Sequence, residues 1–236
     1  MDAAGYATLN RQSGLMREMA VVANNIANSS TTGFRREGVV FSEYVAALGQ
    51  DPSLSMANAS GRSVDLSQST IAQTGGQFDF AIQGEGFFLI DTPQGQRLTR
   101  AGSFTPNDAG ELVTPDGYRL LDAGGAPIFI PPDAKGVGMA ADGTLSANGQ
   151  PISQIGLWQP SDPLKLRHQS GTMFDGGAVE PAEGATVLQG MLEDSNVEPV
   201  SEIARMIEVQ RAYELGQKFL DDEDARVRGV IQTLGR

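Results

Sequence analysis

The sequence has no cysteine. That excludes disulfides, thiolate nucleophiles and cysteine-ligated zinc together. Histidine occurs once, at His168, so no imidazole pair can hold a metal, and a nucleophile–base–acid triad has one candidate base. Aromatic residues are scarce, with a single Trp. No apolar run approaches the ~18–20 residues of a membrane-spanning helix, and the N-terminus lacks the basic, apolar and small-residue regions of a cleaved signal peptide. The expectation is a protein that stays in the cytoplasm or leaves by a route that removes no signal. A basic stripe is missing too. Residues 1–49 carry four basic and four acidic side chains and residues 190–236 six and ten, so of the net charge of −12 the middle holds −8. No nucleic-acid partner is expected from such a distribution.

What the chain does contain is helical periodicity at its two ends and strand signals between them. From about Ala4 to Ala27, Leu15, Met16, Met19, Val22, Ala23 and Ile26 fall on one stripe of an α-helix. The run Ser29-Ser30-Thr31-Thr32-Gly33 then offers competing side-chain hydrogen bonds and a glycine to end it. From Pro199 to Leu234, steps of three and four give Ile203, Met206, Gln210, Tyr213, Gln217, Leu220, Asp224, Val227, Ile231 and Leu234. One row of that heptad is apolar throughout; the other is polar in its middle, at Gln210, Gln217 and Asp224. A seam of this kind makes a weak coiled coil by itself and calls for a partner, and the N-terminal helix is the other amphipathic element of the chain.

Between the helices, short apolar segments alternate with turn signals such as Pro115-Asp116-Gly117, Asp142-Gly143 and Asn148-Gly149. Those dipeptides favour tight hairpins because both positions tolerate positive φ. Strands are expected at Phe78–Gln83, Phe87–Asp91, Arg97–Thr99, Glu111–Thr114, Tyr118–Leu121, Ile128–Ile130, Gly143–Ser146, Gln154–Trp158 and Val187–Gly190. The fold class is therefore α+β, with N- and C-terminal α-helices pairing as a coiled-coil-like domain around a central, mostly antiparallel β-domain. The expected division is 1–33 for the first helix, 34–70 for an irregular connector, 71–190 for the β-rich domain and 191–236 for the last helix. Within the connector, Val39-Val40-Phe41 reads as a short strand, Tyr44 to Leu48 as a helical turn and Asp51 to Gly61 as a loop.

Chemical motifs are weak. Gly84-Glu85-Gly86 lacks the third glycine and the following helix of a dinucleotide fingerprint, and reads as a turn before a strand. Asp116-Gly117 and Asp142-Gly143 lack the spaced oxygen ligands of a calcium loop. His168, beside Leu164-Lys165-Leu166-Arg167, reads as a surface histidine. The run Asp221-Asp222-Glu223-Asp224 reads as a solvated helix face, with Arg226 and Arg228 at neutralising spacing. No catalytic, cofactor-binding or metal residue is nominated.

Three stretches resemble the rod and hook proteins of the bacterial flagellar axis. Ala23-Asn24-Asn25-Ile26-Ala27-Asn28-Ser29-Ser30-Thr31-Thr32-Gly33-Phe34-Arg35 is similar to that family's N-terminal signature. Gly84-Glu85-Gly86-Phe87-Phe88 with Leu98-Thr99-Arg100-Ala101-Gly102-Ser103-Phe104 resembles its central β-domain. Ser195-Asn196-Val197 and Met206-Ile207-Glu208-Val209-Gln210-Arg211-Ala212-Tyr213-Glu214 resemble its C-terminal helix. The compact length and the start Met1-Asp2-Ala3-Ala4-Gly5-Tyr6 look most like a proximal-rod member; a distal-rod member is the near alternative. The resemblance implies a non-enzymatic subunit of a helical tube in the basal body, with paired terminal helices inside and the β-domain outside. It also implies partners among other rod proteins and copies of itself, and passage through the flagellar export apparatus without signal cleavage. No cofactor, nucleic acid or small-molecule substrate is implied. Asn24, Asn25 and Asn28, poor helix formers beside a buried stripe, become candidates for specific hydrogen bonds at a helix contact. The assembly residues nominated are these three together with Leu15, Met16, Met19, Val22, Ile26, Ile203, Met206, Gln210, Tyr213, Leu220, Val227, Ile231 and Leu234. Two competing readings are a secreted β-rich binding module on a private coiled-coil stalk and, more remotely, a hydrolase using a carboxylate pair of the β-domain.

Overall fold

A computed structural model describes the backbone of residues 3–48 and 51–234, and the side chains of these except at 3, 4, 6 and 41–60. The first two residues of the Met1–Tyr6 start and the last two of the C-terminal segment lie outside the described residues. Two long helices in contact with each other, α1 (Ala3–Ala27) and α2 (Pro199–Leu234), flank an antiparallel β region, so the chain is α+β. It divides into two compact units. The first holds the residues up to Ala27, Glu37–Ser63, and those from Glu198 onward; the second holds Asn28–Arg36 and Val64–Val197.

In the first unit, α2 starts at a proline, whose fixed φ and missing N–H suit a first helical turn. The Glu202 N–H then closes that turn on the Glu198 carbonyl at 3.1 Å. The expected irregular connector is instead a ribbon of two paired strands, β1 (Glu37–Leu48) and β2 (Asp51–Val64). The helical turn expected at Tyr44–Leu48 is strand, and so is the loop expected at Asp51–Gly61. Composition misleads there because ladder hydrogen bonds come from the backbone, which a Ser- and Asn-rich segment supplies as well as any other.

The second unit is built on an antiparallel sheet whose central strand, Phe87–Thr92, pairs with Gly95–Thr99 on one side and with Arg119–Leu120 and Leu157–Pro160 elsewhere along its length. Phe88 and Ile90 enter one apolar core with Phe80, Phe104, Leu112 and Leu120; Phe87 and Leu89 enter another with Leu98 and Phe174. A strand buried on both faces has no polar alternation, which is why Phe87-Phe88-Leu89-Ile90 reads as a continuous apolar run. The Asn148-Gly149 turn joins Thr144–Ala147 to Gln150–Gln154 with φ of 53° and 78°, the two positive values a tight hairpin requires.

Three expectations change in this unit. The strand expected at Gln154–Trp158 is broken, because Gly156 passes so close to Asp122 that a Cβ there would lie 2.9 Å from its carbonyl oxygen. Ile128–Ile130 makes a single isolated bridge, Phe129 with Glu111, and the neighbouring Pro127 makes another with Leu121. Met191–Glu193, assigned above to the last helical segment, is a strand paired with Ile71–Gln73. His168 lies at the surface but is half-buried, its ring edge-on to Phe34 at 5.5 Å and to Phe174 at 5.2 Å.

Gly102 marks the tightest backbone approach. A Cβ there would fall 1.6 Å from the Phe80 carbonyl oxygen, itself the acceptor side of a strand whose own N–H bonds the Gly102 carbonyl at 2.9 Å. Gly102→Ala should therefore destabilise the β unit by about 3 kcal/mol, an overpacking cost the backbone cannot relieve by a rotamer change. A lowered denaturation midpoint in guanidinium, followed by Trp158 fluorescence, checks it.

Candidate assembly site

The seam between α1 and α2 carries three polar contacts spaced along its length. Asn25 is fully buried; its Nδ2 donates to Glu202 Oε2 at 3.1 Å and to the Glu37 carbonyl at 2.8 Å, and its Oδ1 accepts from the Glu37 N–H at 3.0 Å. Glu18 accepts from Arg205 Nε at 2.7 Å, a contact that holds the Arg205 guanidinium above its ordinary value. Gln12 Nε2 donates to the Tyr213 carbonyl at 2.9 Å. Gly216 leaves room for that amide: a Cβ there would sit 2.6 Å from Gln12 Nε2. The pairs 25–202, 18–205 and 12–213 run in opposite directions along the two helices, so the packing is antiparallel. Buried polar pairs of this kind admit one register, because any slip leaves a desolvated group without its partner.

Among the nominated residues, Leu15, Val22 and Asn25 are buried. Met19, Asn24, Ile26, Asn28, Met206, Tyr213 and Leu220 are half-buried. Met16 is 56% exposed, and Ile203, Gln210, Val227, Ile231 and Leu234 are exposed as well. On α1 the covered face is turned away from Met16, toward Glu18, Val21 and Asn25. On α2 it follows Glu202, Met206, Val209, Tyr213, Gly216 and Leu220, so the second row lies one residue before the expected Ile203, Gln210 and Gln217. Spacing and apolar rows set those expectations; Glu18 and Glu202 are buried because each carboxylate has a donor waiting on the other helix. The acidic run from Asp221 is partly neutralised within α2, by Glu223–Arg226 and by Asp224–Arg228 at 2.7 Å.

The second unit has its own buried ionic cluster. Glu193 accepts Arg35 Nη1 on one oxygen at 2.8 Å, and its other oxygen lies 2.9 Å from Arg100 Nε, with all three side chains buried. Arg100 also donates to the carbonyls of Gly86 at 2.7 Å and Gly84 at 2.9 Å. Burial pulls the Arg100 guanidinium down to about 10, Glu193 opposing and Arg35 reinforcing the shift, and burial lowers Arg35 too; both stay charged at neutral pH. Around them Gly33, at φ 72°, donates to the Glu193 carbonyl at 2.7 Å and passes so close to Ala101 that a Cβ would meet its nitrogen at 2.3 Å. Asn196 accepts from the Arg36 N–H at 2.6 Å and donates to the carbonyls of Asp65 and Ser67. The N-terminal signature, the Thr99–Phe104 stretch and the approach to α2 thus meet at one carboxylate. The residue that joins them, Glu193, lies two positions before the motif that suggested the C-terminal likeness.

Comparison with known proteins follows the same three stretches. Residues 6–35 match the family described as flagella basal body rod protein, 81–147 the flagellar hook protein FlgE/F/G D1 domain, and 188–232 the flagellar basal body rod FlgEFG protein C-terminal family. The chain is 38% identical to the flagellar basal-body rod protein FlgF of Caulobacter vibrioides, covering 100% of this chain and 99% of that one. It is also 38% identical to FlgF of Mesorhizobium japonicum, over 98% and 97%. FlgG of Bacillus subtilis is 33% identical over 96% and 97%. The chain belongs to the flagellar basal-body rod protein family. It is a structural subunit of the rod, not an enzyme, and it assembles with other rod proteins.

For this rod subunit the seam contacts yield two expectations. Asn25→Ala strands the Glu37 amide in a buried site and should lower the stability of the helical unit by about 2 kcal/mol, seen as an earlier loss of helical ellipticity on heating. Glu193→Gln leaves two buried guanidinium groups facing a neutral amide and should cost the β unit about 3–5 kcal/mol; near-ultraviolet ellipticity from Trp158 reports that transition separately.

Proposed function

We propose that this chain is a proximal-rod subunit that joins copies of itself and other rod proteins in the helical tube carrying torque from the motor to hook and filament. The reading also takes it through the flagellar export apparatus without signal cleavage, with the paired helices lining the inside of the tube and the β unit forming its outer layer. Full-length similarity to the FlgF proteins supports the proximal position.

One structural observation carries the assembly reading. α2 has 36 residues and α1 has 25, and the Asn25–Glu202 pair aligns their neighbouring ends. At ~1.5 Å per residue, α2 therefore outruns its cover by roughly 16 Å. Over that overhang the apolar seam continues: Val227, Val230, Ile231 and Leu234 stand 43%, 47%, 64% and 83% exposed. Val200, Ile203, Ile207, Leu215 and Phe219 are exposed on other faces of the same helix. A helix that shows apolar residues on several sides of a lone chain is one that neighbours cover in an assembly. Met16 and Leu9 offer the same kind of surface on α1.

The double substitution Ile231→Asp and Leu234→Asp tests this. Both residues are largely exposed in the single chain, so its unfolding free energy should stay within ~0.5 kcal/mol of the parent's. Cells relying on the variant should nevertheless form incomplete rods and fail to swim. Normal motility on soft agar, with the variant present in isolated basal bodies, would remove the overhang from the account of assembly.

A further inference from the structure

The buried ionic cluster of the β unit opens on one side into a cavity of about 380 Å³ lined by Arg35, Arg100 and Phe87 on its buried wall and by Leu66, Ser161 and Pro163 nearer solvent. Its chemistry is uneven. Two guanidinium groups face a single carboxylate, Glu193, so the cluster carries an excess cation. Arg100 donates through Nη1 and Nη2 to the Gly86 and Gly84 carbonyls, and its Nε lies 2.9 Å from Glu193 Oε2 as an ion pair without hydrogen-bond geometry. Arg35 makes both its contacts, to Glu193 and to the Ser67 carbonyl, through Nη1 alone. Its Nε is buried and has no acceptor. A desolvated guanidinium donor without a partner is costly, and the Nε–Nη2 edge it leaves open is the edge that receives a carboxylate side-on.

We propose that this cavity is a carboxylate-binding site, and that in the rod its occupant is an aspartate or glutamate side chain presented by a neighbouring axial subunit. This rests on the rod reading above. The carboxylate completes a two-cation, two-anion cluster at Arg35, while Leu66, Phe87 and Pro163 pack the aliphatic part of the incoming segment. Three carboxylates near the site act against it weakly. Asp65 accepts from the Ser67 N–H and attracts Arg35 from an exposed position, Glu180 accepts from Gln159 Nε2 at 3.0 Å, and Glu85 is exposed. Charges that face water are screened, whereas the one inside the cavity is not.

The test has two arms. In the free full-length chain, the Arg35 Nε–Hε resonance is followed by NMR during titration with acetate at constant ionic strength, with acetamide as the neutral acceptor of the same shape. A saturable shift with acetate, absent or far weaker with acetamide, is expected. Ser161→Trp, at an exposed position of the cavity mouth that leaves the three ionic residues in place, should weaken acetate binding about tenfold. An acetate response equal to that of acetamide, or unchanged in Ser161→Trp, overturns the site. In the second arm, a photo-crosslinking residue at position 161 is placed in the chain and rods are isolated. A crosslink to an Asp- or Glu-bearing segment of another axial subunit supports the occupant. Intact rods with no such crosslink overturn the occupant and leave the rod assignment standing, whereas failure of the unsubstituted chain to enter rods counts against that assignment alone.

Discussion

A buried amide holds the helical unit in one arrangement. Asn25 uses both ends of its side chain on the main chain of Glu37 and still reaches the Glu202 carboxylate. Apolar residues along α1 and α2 would tolerate sliding by a turn, because Leu15, Val22, Met206, Val209 and Leu220 are similar in size and indifferent to direction. The amide, the Glu18–Arg205 pair and the Gln12–Tyr213 contact would not. Once the register is fixed, the length difference between the helices falls at one end, and the uncovered apolar seam falls with it. Stability and assembly thus come from different residues of the same helix: polar pairs choose the alignment, and the overhang exposed by that alignment is left for neighbours.

How much of this could be read from the chain depends on what kind of force acts at each position. Helices and hairpin turns were legible because their causes are local. Pro199 starts α2, and Asn148-Gly149 turns a hairpin through two positive φ values. Which face of each helix is covered was legible only in part. Periodicity finds apolar rows, and it found Met206, Tyr213 and Leu220. It does not find Glu202 or Glu18, since nothing within a few residues of either shows that a donor waits some 180 positions away. The strand Met191–Glu193 was hidden for the same reason, as its partner Ile71–Gln73 and its two arginines are remote in sequence. The ribbon β1–β2 was missed on different grounds. Its pairing is carried by backbone groups that every sequence possesses, so Ser and Asn content says little about it.

The two units share a design that bears on how the subunit forms. Asn25 and Arg35 sit on either side of the end of α1; Glu193 and Glu202 sit on either side of the start of α2. Each unit is closed by one donor from the first pair and one carboxylate from the second, across separations of 177 residues in the helical unit and 158, from 35 to 193, in the β unit. Closure of that kind is slow relative to local structure, because loop entropy must be overcome before any contact rewards it. It is also conditional. A chain lacking its last quarter leaves Arg35 and Arg100 without their carboxylate and α1 without its cover, and an unpaired buried cation disfavours the compact state more strongly than a missing apolar contact of similar size. The carboxylates that close the two units, Glu193 and Glu202, thus both come from the C-terminal stretch of the chain, and neither unit has its full set of buried partners without it.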